Sequence, residues 1–157
     1  MLIADEPTTA LDVTIQAQIL KLLLELREKL NVAIILITHD VGVAAKTCDR
    51  IMVMYGGTIV ERGPTESLLQ DPKHPYTVGL LGCLPYRVDN VFKLATIPGA
   101  VPDMLDLPAG CPFHPRCKYK EERCVIEKPP FYNVNSERQS ACFLAERREG
   151  CAGRNFT

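Results

Sequence analysis

Leu2 to Asp12 reads L-I-A-D-E-P-T-T-A-L-D, and Ile34 to Asp40 reads I-I-L-I-T-H-D. Each begins with apolar residues and ends on acidic or imidazole side chains. The second run, Val32 to Ile37, is rich in β-branched residues, as in a strand buried on both faces of a parallel sheet. Between the two, Asp12 can cap an amphipathic helix in which Ile15, Ile19, Leu22, Leu23, Leu26 and Leu30 share one face, and Asn31 ends it. Strand, helix, strand in this order predicts an α/β fold with parallel strands and the reactive groups where the chain leaves the sheet.

Beyond Asp40, which can cap a short helix through Lys46, the pattern changes. Arg50 to Tyr55 and Thr58 to Glu61 read as two strands around Gly56-Gly57, a hairpin turn signal. Helices are expected from Pro64-Thr65 to the residue before Asp71-Pro72, and from Pro75 through about Cys83. Eleven of the twelve prolines lie between Pro64 and Pro130, so the later part of the chain is heavily punctuated. No sustained period appears between Pro85 and Gly110, and that stretch reads as an ordered but irregular connection into a cysteine-containing module.

The 157 residues suit one compact domain with a small appendix, and 46% hydrophobic with 24% charged residues is ordinary globular composition. A net charge of -1, from 18 basic and 19 acidic side chains, gives no reason to expect a nucleic-acid groove or a membrane-binding face. No apolar run approaches the roughly 18 residues of a membrane span. Asp5 and Glu6 stand where a secretion signal would be basic and then apolar, so a cytosolic, reducing compartment is the expectation.

Asp5 ends an apolar strand, where a carboxylate can hold hydrated magnesium, an ion that keeps several waters and takes one or two protein acids. Glu6 can orient or activate an attacking water. The acids, the A-L-D of Ala10 to Asp12 and the Thr38-His39-Asp40 ending occur in the order expected of a single site.

This combination resembles the Walker B, D-loop and H-loop segments of an ATP-binding cassette ATPase. The resemblance implies Asp5 as the magnesium ligand through water, Glu6 as the catalytic carboxylate and His39 as the residue contacting the terminal phosphate of ATP. Ala10, Leu11 and Asp12 would form the loop that crosses to a partner subunit. Neither a G-x-x-x-x-G-K-[ST] phosphate loop nor an S-G-G-Q type signature occurs, and Met1 stands inside the first strand. The expectation is a C-terminal fragment with negligible ATP turnover by itself.

The chain has seven cysteines, an odd number that argues against a fully paired disulfide framework. Cys111, Cys117, Cys124 and Cys142 are separated by five, six and seventeen residues in a stretch poor in apolar runs, where a metal would supply the missing core. Spacing does not choose between zinc and an iron-sulfur cluster, and unliganded thiols are the third alternative. Cys48 and Cys83 read as small core residues on helices, His114 as a fifth candidate ligand or, more simply, an exposed turn residue, and Cys151 lies in an unassigned tail.

Gly110 to Cys117, G-C-P-F-H-P-R-C, is similar to the C-terminal signature of oligopeptide and dipeptide transporter ATPases, and His74-Pro75-Tyr76-Thr77 and Ile97-Pro98-Gly99 fit it too. That family implies a four-iron four-sulfur cluster on Cys111, Cys117, Cys124 and Cys142, with Arg116, Lys118 and Arg123 available to offset its charge or simply to form a solvated face. It implies an ATP-hydrolysing subunit, peripheral on the cytoplasmic side of the membrane, that energises peptide import. Its partners would be a second ATPase subunit, identical or homologous, the transmembrane permease subunits and, indirectly, an extracytoplasmic peptide-binding protein. The organisation expected is 1–84 for the later half of the ATPase domain, 85–109 for a connection, 110–148 for the four-cysteine module and 149–157 for the tail. The alternatives are an importer of nickel or another small solute, and a truncated, non-enzymatic iron-sulfur or metal-binding interaction module.

Overall fold

The computed structural model describes residues 1–84, the backbone strands at 86–88 and 91–93, and residues 96–146. The expected Cys151 and the tail from 149 lie outside them. The chain divides into two compact units, Met1–Asp49 and the residues from Arg50 onward.

The first unit runs β1 (Leu2–Asp5), α1 (Val13–Leu30), β2 (Ile34–Ile37) and α2 (Val41–Thr47). β1 and β2 pair in parallel, from Leu2 opposite Ile34 to Asp5 opposite Ile37. Asp12 caps α1, its extended backbone letting Oδ1 accept the Ile15 N–H at 2.9 Å, and Asn31 closes the helix in the left-handed conformation. Asp40 caps α2 through the N–H groups of Gly42 and Val43.

Two expectations about this unit need correction. β2 is not buried on both faces: its residues alternate between half-buried and exposed, with Ile35 and Ile37 in the open. Nor is the apolar stripe of α1 covered, since none of its residues is buried and Leu22 and Leu30 are 51% and 63% exposed. A two-stranded sheet has too little surface to cover an eighteen-residue helix and both of its own faces.

The second unit begins with the hairpin β3 (Arg50–Tyr55) and β4 (Thr58–Pro64), whose Gly56-Gly57 turn has φ of 54° and 72°. Both values are positive, as the tightest right-twisting hairpin turn requires. α3 (Thr65–Gln70) and α4 (Pro75–Gly82) follow, then β5 (Tyr86–Val88) and β6 (Val91–Lys93). These last two pair antiparallel inside the stretch read as irregular; three residues are too few to display a period.

After a single 3-10 turn (His114–Arg116) come α5 (Glu122–Ile126), β7 (Tyr132–Asn133), β8 (Gln139–Ser140) and α6 (Phe143–Glu146). β8 pairs with β4, so the larger sheet has the order β3-β4-β8-β7. The core combines Val53, Tyr55, Val60 and Leu68 from the earlier elements with Cys111 and Phe113 from the later ones. The Tyr55 and Phe113 rings meet edge to face at 5.2 Å, and Tyr76 packs 4.6 Å from Tyr55. Arg116 pins the Ile97-Pro98 loop, donating to both carbonyls at 2.8 and 3.0 Å and reaching the Tyr55 hydroxyl at 3.3 Å.

Candidate functional site

Glu6 follows the last residue of β1 and has φ of 47°, left-handed backbone that costs a residue with a Cβ roughly 1–2 kcal/mol. Its N–H still donates to the Ile37 carbonyl at 2.9 Å, so the strand pairing extends one residue as the chain turns. The side chain is held from two sides. His39 Nδ1 lies 2.9 Å from Oε1, and the Thr9 hydroxyl donates to Oε2. Thr9 was not singled out by sequence; the short T-T after a strand-end acid was the available signal.

These contacts shift both titrations. The Thr9 hydroxyl, and then His39, hold the Glu6 carboxyl below its usual 4.5, while Glu6 holds His39 above the usual 6.5. His39 therefore keeps its proton to higher pH than a free imidazole. A cleft of about 160 Å³ opens beside it, lined by Thr8, Thr9, Ala10, Leu11, Gln16, Thr38, His39 and Asp40.

The parallel pairing of β1 and β2 thus brings together Glu6 and His39, thirty-three residues apart. Asp5 is exposed at the end of β1, and among the described residues its carboxylate has no partner, leaving it available to a hydrated cation. Asp12 is occupied in capping α1.

The four expected cysteines Cys111, Cys117, Cys124 and Cys142 line one pocket in the second unit, together with His74, Phe113, Phe143 and Leu144. Gly110 makes that closure possible. It has φ of 70°, and a Cβ there would fall 2.5 Å from the Cys124 carbonyl, which accepts the Cys111 N–H at 2.9 Å.

Burial raises the pKa of Cys111, Cys117 and Cys142, the last up to about 12, with neighbouring cysteines adding to the effect. The pocket is a cavity of only about 20 Å³. As placed, no three of the His, Cys, Asp and Glu side chains among the described residues form a group that would hold a metal ion. Four thiols are a donor set of the kind that iron or zinc takes.

Arg116, Lys118 and Arg123, read from sequence either as offsetting a cluster's charge or as a solvated face, do not line the pocket. Arg116 is bound to the Ile97-Pro98 loop, Arg123 pairs with Glu121 and Glu146 while covering the Phe143 ring, and Lys118 lies over Tyr119. Cys48 and Cys83 sit at the C-caps of α2 and α4, half-buried rather than in the core. His114 is half-buried, its Nδ1 3.0 Å from the Cys111 carbonyl oxygen, and it lines the pocket rather than standing in solvent.

His74, quoted by sequence only within a motif, proves 1% exposed. Its Nδ1 caps α4 by accepting the Tyr76 N–H at 3.1 Å, and burial drives its pKa down to about 3.

Residues 60–124 match the family described as oligopeptide/dipeptide transporter, C-terminal region. The chain is 49% identical to the oligopeptide transport ATP-binding protein OppD of Haemophilus influenzae, over 94% of its own length and 46% of the relative. It is 50% identical to the dipeptide transport ATP-binding protein DppD of Escherichia coli, covering 90% of the chain and 43% of the relative. For OppD of Salmonella typhimurium the identity is 50%, over 91% and 42%. The chain spans less than half the length of these relatives.

Proposed function

We propose that this chain belongs with the ATP-binding proteins of oligopeptide and dipeptide transport and that it is part of the subunit whose ATP hydrolysis energises peptide import across the cytoplasmic membrane. The contact between Glu6 and His39, at the mouths of two parallel strands, carries this reading. Glu6 would orient and deprotonate the attacking water; its lowered pKa keeps it ionised, and the Thr9 and His39 contacts fix its rotamer. His39, with its raised pKa, would present positive charge to the terminal phosphate. Asp5 would hold magnesium through water, and the ion would neutralise charge on the phosphates.

Ala10 and Leu11 line the cleft beside His39, and with Asp12 they would face a second ATPase subunit, identical or homologous. In this reading residues 1–84 complete the ATPase domain, 85–109 connect it, and 110–148 form the cysteine module. The exposed apolar faces of α1 and β2 are where further ATPase structure would pack. Among the described residues no helix is long and apolar enough to cross a membrane, so attachment would be peripheral, through transmembrane permease subunits fed by an extracytoplasmic peptide-binding protein.

Cys111, Cys117, Cys124 and Cys142 would hold a four-iron four-sulfur cluster, or zinc in its place, the thiols losing their protons as the group enters. Four thiols lining one pocket support that assignment. The group would staple a module whose strands are only two residues long.

The test joins this chain to the phosphate-binding half of a relative such as DppD of Escherichia coli and measures ATP binding, hydrolysis and dipeptide uptake. Glu6→Gln should leave ATP binding intact and slow hydrolysis roughly 10²–10⁴-fold. Hydrolysis at the unmodified rate would remove Glu6 from the mechanism.

A further inference from the structure

Glu6 holds a backbone conformation that it has two reasons to avoid. Its φ of 47° is left-handed, and it stands before Pro7, whose ring pushes a preceding residue towards extended backbone. Backbone of this kind persists only where surrounding bonds over-determine it, and it gathers at functional sites. Here the bonds close on one short turn, Glu6-Pro7-Thr8-Thr9. The Glu6 N–H donates to the Ile37 carbonyl at 2.9 Å, the Thr9 N–H donates to the Glu6 carbonyl at 3.2 Å, and the Thr9 hydroxyl donates to Glu6 Oε2. The ring of Pro7 fixes φ inside the turn, and Thr8, 7% exposed, is its buried foot.

The other contact on the carboxylate is of a different kind. His39 reaches Oε1 from beyond the end of β2, thirty-three residues away, on a side chain that is 78% exposed. An exposed pair of this sort is screened by water and salt and loses side-chain entropy on forming. The Thr9 hydroxyl is delivered by the same turn that carries Glu6. With the backbone bond between the two residues already made, few further freedoms are lost when the hydroxyl closes on Oε2.

We infer that Thr9 is a positioning residue for attack on the terminal phosphate, locking the Glu6 side chain in its working rotamer before ATP or His39 engages. The inference rests on Glu6 as the base proposed above. Thr9 acts through that carboxylate and on no reacting atom. A turn that places the base in advance spares the reaction the cost of ordering it, and a displacement of about 1 Å costs on the order of 10²-fold in rate. Loss of the hydroxyl therefore shows in kcat and not in the affinity for ATP.

The experiment uses the joined protein that tests Glu6 above, as wild type, Thr9→Val and Thr9→Ser, and with Thr9→Val added to Glu6→Gln. Valine keeps the branched shape and removes the hydroxyl, while serine keeps the hydroxyl. Thr9→Val should lower kcat about 10–100-fold with ATP binding unchanged, and Thr9→Ser should recover most of that loss. Once Glu6 is glutamine, Thr9→Val should cost nothing further.

A wild-type kcat in Thr9→Val, or an equal loss in the Glu6→Gln background, overturns the inference and leaves Glu6 standing as the base. Wild-type hydrolysis by Glu6→Gln itself overturns both. Should Thr9→Val fail to fold, nuclear magnetic resonance on this chain carrying His39→Ala decides the matter. Side-chain couplings that report one Glu6 rotamer support the inference, and couplings averaged over several rotamers overturn it.

Discussion

Replacing Glu61 with alanine should be among the most damaging single changes available in the second unit. The carboxylate is fully buried, and it accepts the N–H groups of Lys73 and His74 while pairing with Arg138, itself 4% exposed. Alanine leaves the buried His74 N–H and the part-buried Lys73 N–H unmatched, at roughly 1–3 kcal/mol for each such group. It also leaves the guanidinium without its buried partner, a loss of about 3–5 kcal/mol when a buried pair is broken from one side. Arg138 keeps contacts with the carbonyl and carboxylate of Asp71, so the lower end of these ranges applies, and the sum is about 5 kcal/mol.

That sum matches the lower bound of about 5–15 kcal/mol for a whole small domain. With a urea dependence of ~1–3 kcal/mol per molar, the midpoint should fall by about 2 M or more. The chain has no tryptophan, and all five tyrosines lie at Tyr55 or beyond, so tyrosine fluorescence during a urea titration reads this unit alone. Glu61→Met combined with Arg138→Met should restore part of the loss, because no unpaired charge is then buried. A fall in midpoint under about 0.5 M for Glu61→Ala would refute the argument.

Nuclear magnetic resonance titration should place the His39 midpoint above 6.5, and Glu6→Gln should bring it back towards 6.5; an unmoved midpoint means the contact is not made in solution. The lowered Glu6 pKa contributes stability in full above pH 4.5, lost as pH falls through the lowered value, and the raised His39 pKa contributes in full below 6.5, lost as pH rises through the raised one. The contact is therefore strongest between pH 4.5 and 6.5, and denaturant midpoints of wild type and Glu6→Gln should diverge most there. Gly110→Ala should open the cysteine pocket, since its Cβ would overlap the Cys124 carbonyl, and faster alkylation of Cys111 and Cys124 in the native state measures this. In metal-free protein at pH 8, Cys142 should be alkylated more slowly than in the urea-unfolded chain, because burial holds it as the thiol up to about pH 12. Arg116→Lys should loosen the Ile97-Pro98 loop by removing a guanidinium that meets three oxygens, read as faster proteolysis near those residues.

What could be read from sequence was whatever local chemistry announces. Asp12, Asp40, Asn31 and the prolines at 64 and 75 mark helix boundaries that the structure reproduces closely, and Gly56-Gly57 marks the hairpin. The meeting of Glu6 with His39 was legible because two strand ends in parallel register must place their following residues side by side. Pairings without a local signature were not legible. The two-residue strands β7 and β8, the tie between Arg138 and Glu61, and the burial of His74 all depend on distant segments meeting. Periodicity likewise showed that α1 has an apolar face without showing what covers it.

Joining β8 to β4 also sets a timetable. Glu61 leaves the ribosome 77 residues before Arg138 does, which at about 5–20 residues per second is roughly 4–15 seconds. Throughout that interval the outer edge of β4 has no neighbour and the carboxylate destined for the interior must stay in water. The second unit is therefore finished from its carboxyl end. A nascent chain interrupted before Arg138 would keep its hairpin and two short helices yet lack the cation and the strand that close over them, and it would offer an open β edge to whatever chain came next.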